Sequence, residues 1–89
     1  MLVVRTQSKF EKDLERMKRR GKDLDKLQVI MLSLIQKKPL APKHRDHPLK
    51  GQYAYCRECH IEPDWLLIYA IEEETITFIR SGSHADLFK

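Results

Sequence analysis

The run Trp65-Leu-Leu-Ile-Tyr-Ala-Ile71 is apolar at nearly every position, the pattern of a central strand covered on both faces. A fold built around it needs material above and below the sheet. Its neighbours alternate more clearly: Tyr55 to Glu62 and Thr75 to Arg80 read as strands, separated from it by Pro63-Asp64 and by Glu72-Glu73-Glu74. Links this short imply an antiparallel meander.

Upstream, Leu2 to Thr6 is short and rich in valine, which suits another strand. Ser8 followed by Glu11 has the spacing of a capping box, and Phe10, Leu14 and Met17 recur on one helical face before Gly21. This predicts a helix near Ser8 to Arg20. Asp23 can cap a second one, whose stripe of Leu24, Leu27, Met31 and Leu34 is widened by Ile30 and Ile35 and stops before Pro39. The segment from Lys38 to Gly51 holds Pro39, Pro42 and Pro48, which forbid a regular helix and argue against a central strand, so an ordered basic loop is expected. The tail from Ser83 to Phe88 can form one turn of helix capped by Ser83. The order predicts one α+β domain over residues 1–89: β-α-α-β-β-β, with both helices on one face of a small, mainly antiparallel four-stranded sheet and the other face free for function.

Seventeen Lys and Arg against thirteen Asp and Glu give a net charge of +4, with cations bunched at Lys18, Arg19, Arg20 and Lys22 and again from Lys37 to Lys50. Such bunching favours a polyanion as partner, although a basic surface can also be merely solvated. The start, Met1 to Gln7, has no apolar core behind a basic segment, and no stretch approaches the length that spans a bilayer. A cytoplasmic protein is expected, with no membrane association and with Cys56 and Cys59 as thiols.

Cys56-Arg57-Glu58-Cys59-His60 matches the haem-attachment spacing and offers half of a zinc or redox site. Haem attachment of that kind goes with export, zinc needs four convergent ligands, and in a strand the two cysteines point to opposite faces. Packing residues are expected there, with no metal and no cofactor.

Histidine exchanges protons near neutral pH, and His47, His60 and His84 each stand beside features that can orient them. Any one of them alone is more often a surface or satisfied interior histidine. Their joint context carries more. His47-Pro48-Leu49, then Tyr55-Cys56-Arg57-Glu58-Cys59-His60-Ile61-Glu62-Pro63-Asp64-Trp65, then Arg80-Ser81-Gly82-Ser83-His84 with Leu87-Phe88, resemble in order and spacing the YafQ branch of the RelE-like toxins. The resemblance runs over essentially the whole chain. It implies a RelE-like fold, a toxin of a type II toxin–antitoxin system, and active positions at His47, His60, Asp64, Trp65, His84 and Phe88, with His84 as proton donor. Cys56, Cys59 and Lys89 after Phe88 depart from the family pattern without removing a matched residue. The resemblance also implies a small acidic antitoxin, with operator DNA bound only through the antitoxin complex.

These residue types suit attack of a ribose 2′-OH on the adjacent phosphate, giving a 2′,3′-cyclic phosphate without a metal. His84 is the expected acid. His60 or His47, aided or oriented by Asp64, is the expected base, and the sequence does not choose between them. Arg80, with Arg57 second, is the candidate for transition-state charge, unless both are structural ion-pair residues. Trp65 and Phe88 can stack on splayed bases, although a Trp that starts an apolar strand is more often core. Phe88 can alternatively close the tail over the site. The loop from Lys37 to Lys50, with Arg45 and Lys50 among its cations, can follow the phosphates of messenger RNA, free or on the ribosome. The competing class is a non-catalytic toxin of the same fold that binds a protein, as gyrase inhibitors do, and it has no need of this histidine set.

Overall fold

A computed structural model of the chain describes residues 1–88; Lys89 lies outside the described residues. The expected order is found. Strand β1 (Val3–Thr6) leads into helices α1 (Ser8–Arg19) and α2 (Leu24–Ile35), followed by β2 (His47–Pro48), β3 (Arg57–Glu62), β4 (Trp65–Glu72), β5 (Thr75–Gly82) and a one-turn helix, α3 (His84–Leu87). The sheet order is β1-β5-β4-β3-β2, with β1 parallel to β5 and every other pair antiparallel. The sheet thus has five strands rather than the expected four, because His47 and Pro48 pair with Glu58 and Arg57. Pro48 has no N–H to donate, and the edge position is where a strand proline is tolerated.

The strand β4 sits in the middle, and Trp65 through Ile68 are each 0% exposed. Its odd residues Trp65, Leu67 and Tyr69 face the helices, where they meet Phe10, Met17, Leu27, Ile30 and Leu34. Its even residues Leu66 and Ile68 face the other way, under Leu49, Tyr53, Cys56, Ile79 and Leu87. The period of two therefore splits one apolar run between two cores. No helix among the described residues is long and apolar enough to cross a membrane.

Helix α1 departs from its expected cap. Gln7 is the N-cap and makes no side-chain cap bond, and the Glu11 carboxylate instead accepts from the Thr6 hydroxyl at 3.2 Å. The face it buries also differs: Leu14 is only partly buried, whereas Asp13, between Phe10 and Met17, is 1% exposed. The helix closes as expected at Gly21, whose φ of +78° lets Gly21 and Lys22 donate back to Lys18 and Met17. Asp23 caps α2 through the Asp25 N–H, and Ser83 caps α3.

Cys59 lies in the helix-side core and Cys56 in the other, so the pair cannot converge on one ion or haem. Burial pushes the Cys59 thiol up to about 12 and raises that of Cys56 as well. In native protein at about pH 8, where an ordinary thiol near 8.5 is partly ionised, Cys59 is expected not to react with a disulfide reagent and Cys56 to react slowly. Both should react in denaturant. Equal native rates for the two would contradict this packing.

Candidate active site

The free face of the sheet gathers the histidines by register. Glu58 and His60 are two residues apart on β3 and so share a face, opposite Ile68 and Leu66 of β4. The two-residue strand β2 sets His47 directly across from Glu58. An irregularity between His60 and Glu62 ends the regular pairing just beyond the site. On β4 and β5, Leu66 pairs with Gly82, so Asp64 and His84, each two steps beyond the pair, meet at the same end of the sheet.

The resulting row is continuous. The His47 and His60 rings are 6.5 Å apart, those of His60 and His84 5.9 Å, and those of His84 and Phe88 6.3 Å. Glu58, 5% exposed, lies beneath its first half. Its Oε2 is 2.9 Å from His47 Nε2 and 3.6 Å from His60 Nε2. The other nitrogen of each ring faces a carbonyl, His47 Nδ1 toward Pro48 O at 3.1 Å and His60 Nδ1 toward Pro63 O at 3.3 Å. A carbonyl only accepts, so both Nδ1 atoms carry hydrogen, and each Nε2 is left to exchange a proton. At 2.9 Å from Glu58 the His47 contact must hold a shared proton, whereas His60 Nε2 has the looser contact.

Asp64 takes a different place from the one expected. Rather than standing beside His60 or His47, it accepts through Oδ1 from His84 Nδ1 at 2.7 Å and from the His84 backbone N–H at 2.9 Å. Those two bonds, the backbone one first, hold its carboxyl below the usual range. Asp64 therefore orients His84, and the carboxylate beside His47 and His60 is Glu58. The i, i+2 spacing of Glu58 and His60 was the available signal for it.

Three other assignments change. Trp65 is 0% exposed in the helix-side core, with its Nε1 donating to Ser81 Oγ at 3.0 Å, so its indole cannot stack on a base. Arg80 commits Nε and Nη2 to Asp13, at 2.7 and 3.1 Å, which leaves only Nη1 outside the pair. Arg57 likewise donates through Nε to Asp46 at 3.1 Å, and Asp46 also accepts from the Tyr69 hydroxyl at 2.7 Å. Both arginines make the structural ion pairs that the sequence left as their alternative, each with Nη1 outside the pair.

Phe88 is 41% exposed at the end of the row and meets the Tyr53 ring edge-on at 5.9 Å. Arg45 and Lys50 are exposed on the loop, Arg45 in the left-handed region at φ +45°. His44, which no sequence signal singled out, fixes the open edge of β3 through the His60 carbonyl at 2.7 Å. His47, Glu58 and His60 offer donor atoms within 4.8 Å of one another, close enough to share a divalent ion.

Residues 2–89 match the family described as "Bacterial toxin of type II toxin-antitoxin system, YafQ". The mRNA interferase toxin YafQ of Escherichia coli K12 is 41% identical over 80 residues, covering 89% of this chain and 87% of its own. Among solved structures, a metal-bound toxin from Helicobacter pylori is 47% identical with a TM-score of 0.92 over 99% of this chain and 100% of its own. The E. coli DinJ–YafQ toxin–antitoxin complex is 37% identical with a TM-score of 0.92, covering 99% of this chain and 98% of the matched one.

Proposed function

This chain belongs to the YafQ family of toxins of type II toxin–antitoxin systems, and from that membership we propose that it is a metal-independent endoribonuclease that cuts messenger RNA in the cytoplasm. The observation that carries the proposal is the row of His47, His60 and His84 with a carboxylate at each end, Glu58 behind the first two and Asp64 behind the third.

The reaction needs a base and an acid on opposite sides of one phosphorus. His60 Nε2 takes the 2′-OH proton, and the 2′-oxygen forms its bond to phosphorus. The bond to the 5′-oxygen breaks, and His84 Nε2 gives that oxygen a proton, leaving a 2′,3′-cyclic phosphate and a 5′-OH. Glu58 stabilises the charge that His60 gains, and Asp64 stabilises the charged form of His84 from which the proton is given. His47, hydrogen-bonded through Nε2 to Glu58, faces the negative charge that builds on the phosphorane oxygens. Arg45 and Lys50 contact the flanking phosphates, and Phe88 stacks on a splayed base.

The partner is an antitoxin, as the E. coli relative has in its complex, and the basic surface of this chain calls for an acidic one that covers it. Its hold should weaken as salt rises, and operator DNA is bound only through the joint complex.

The test is cleavage of one defined messenger, free and on translating ribosomes, with a chelator present and the ends mapped. Cuts ending in 2′,3′-cyclic phosphate with chelator present are expected. Zinc added at one equivalent should slow the reaction, because an ion held by His47, Glu58 and His60 occupies the base. A requirement for added metal would overturn the scheme. No cutting by folded protein in either setting would instead favour a toxin that acts by binding a protein.

A further inference from the structure

The carboxylate of Asp86 closes the N-terminal box of α3 and is gripped from outside by α1. Asp86 Oδ2 accepts from the Ser83 N–H at 2.9 Å, and Ser83 Oγ accepts from the Asp86 N–H at 3.2 Å. Arg20, at the end of α1, donates to both carboxylate oxygens at 2.7 and 3.0 Å, and Arg16 Nη1 stands 3.9 Å away. The approach requires Gly82, since a Cβ there would lie 2.8 Å from Asp86 Oδ2 and 3.0 Å from its Cβ. Arg20, more than any other group, holds the Asp86 carboxyl well below the usual range.

Helix α3 has four residues, too few to be stable by its own hydrogen bonds. His84 is its first residue, and the side chains of His84 and Asp64 are 55% and 68% exposed, so packing does not hold the imidazole in place. Asp64 sets the orientation of the ring through Nδ1, and the α3 backbone sets where the ring starts. Leu87 anchors the far end of that turn in the core. The near end is fixed by the box, by the Arg20 grip and by the Asp64 carboxylate on the His84 N–H.

We infer that Arg20 and Asp86, with Gly82 making room, are positioning residues that hold the His84 acid at its distance from His60. This rests on the assignment of His84 as the acid. The grip reaches 66 residues along the chain, from α1 to the tail, and is made by two side chains outside the row itself. The competing role for a half-exposed Arg20 is direct contact with an RNA phosphate.

The two roles separate by the leaving group. A substrate whose 5′-oxygen at the cut is replaced by a bridging sulfur expels a thiolate, which leaves without a proton. With the ordinary substrate, in whichever setting wild type cuts it, Arg20→Ala should lower kcat about 10–100-fold, part of what a whole acid contributes, with KM within about twofold. On the sulfur substrate the deficit should shrink to within about threefold of wild type, as should that of His84→Ala. Arg20→Lys, which keeps the charge but not the fork, should fall between wild type and Arg20→Ala on the ordinary substrate. Asp86→Asn repeats the comparison from the other partner, should Arg20→Ala not fold.

An Arg20→Ala deficit equal on both substrates, alongside rescue of His84→Ala, would overturn the positioning role and leave the acid assignment standing. A raised KM with unchanged kcat would likewise overturn it in favour of a phosphate contact. Failure of the sulfur substrate to rescue His84→Ala would remove the acid assignment and the positioning role together.

Discussion

Replacing His84 by alanine is expected to lower cleavage about 10²–10⁴-fold, the usual contribution of one acid group, while the protein stays folded. The fold should survive because the imidazole is 55% exposed and its one side-chain partner is the exposed Asp64. Leu87, the residue that anchors α3, is untouched. Circular dichroism and the unfolding midpoint should be unchanged within error, and cut ends mapped on the same messenger should vanish. Full activity in the variant would end the assignment of the acid. Asp64→Asn should give a smaller loss, because it keeps an acceptor for His84 Nδ1 but not the charge that stabilises the imidazolium. The pH behaviour follows from the lowered Asp64 carboxyl. Its contact with His84 is fully present above the ordinary carboxylate value of about 3.9 and is lost only as pH falls through the lower folded value. A fall in activity on acidification to about pH 5 therefore does not report Asp64 losing its charge.

The largest loss of stability is expected at Asp13, in the middle of α1. Its side chain is 1% exposed and accepts from Arg80 Nε and Nη2 and from the Ser81 backbone N–H, the last at 3.0 Å. Strand β1 pairs with β5 only as far as Phe78, so the edge of β5 beyond it is open, and the Asp13 carboxylate satisfies it. Asp13→Ala strands a guanidinium whose side chain is 16% exposed, together with a buried N–H. Removing one partner of such a buried pair costs about 3–5 kcal/mol. At about 4–8 °C per kcal/mol for a domain of this size, the unfolding midpoint should drop by roughly 12–40 °C. Asp13→Asn, which keeps acceptors but not charge, should fall between. Urea unfolding of Asp13→Ala, Arg80→Ala and the double variant measures the coupling, expected at about 1–3 kcal/mol. Additive losses would mean that the pair does not act as a unit. Activity lost in Arg80→Ala beyond its loss of stability would instead place Nη1 in the chemistry.

Much of the architecture was legible because it is written in local periods. The apolar run from Trp65 to Ile71 announced a central strand, and Gly21, Asp23 and Ser83 marked helix ends whose chemistry is local to a few residues. The two-residue strand at His47 was not legible. Two residues carry no period, and its only cause is pairing with Glu58 and Arg57. The cap of α1 misled for a related reason: Ser8 and Glu11 have the right spacing, but the N–H of Gln7 is drawn to the Phe78 carbonyl, and Gln7 rather than Ser8 takes the cap position.

The site divides along the same line. Sequence alone determined which groups are present: three histidines able to move protons, the face-sharing of Glu58 and His60 that follows from strand periodicity, and the cations of the loop. Tertiary structure decided the partnerships. Asp64 went to His84 rather than to His60 or His47 because Leu66 pairs with Gly82, and Trp65 went to the core because odd positions of β4 face the helices. Arg80 went to Asp13 because the open edge of β5 meets α1 there. A side chain's chemistry is a property of the residue, but its partner is set by contacts between segments far apart in the chain, and only the folded sheet brings those segments together.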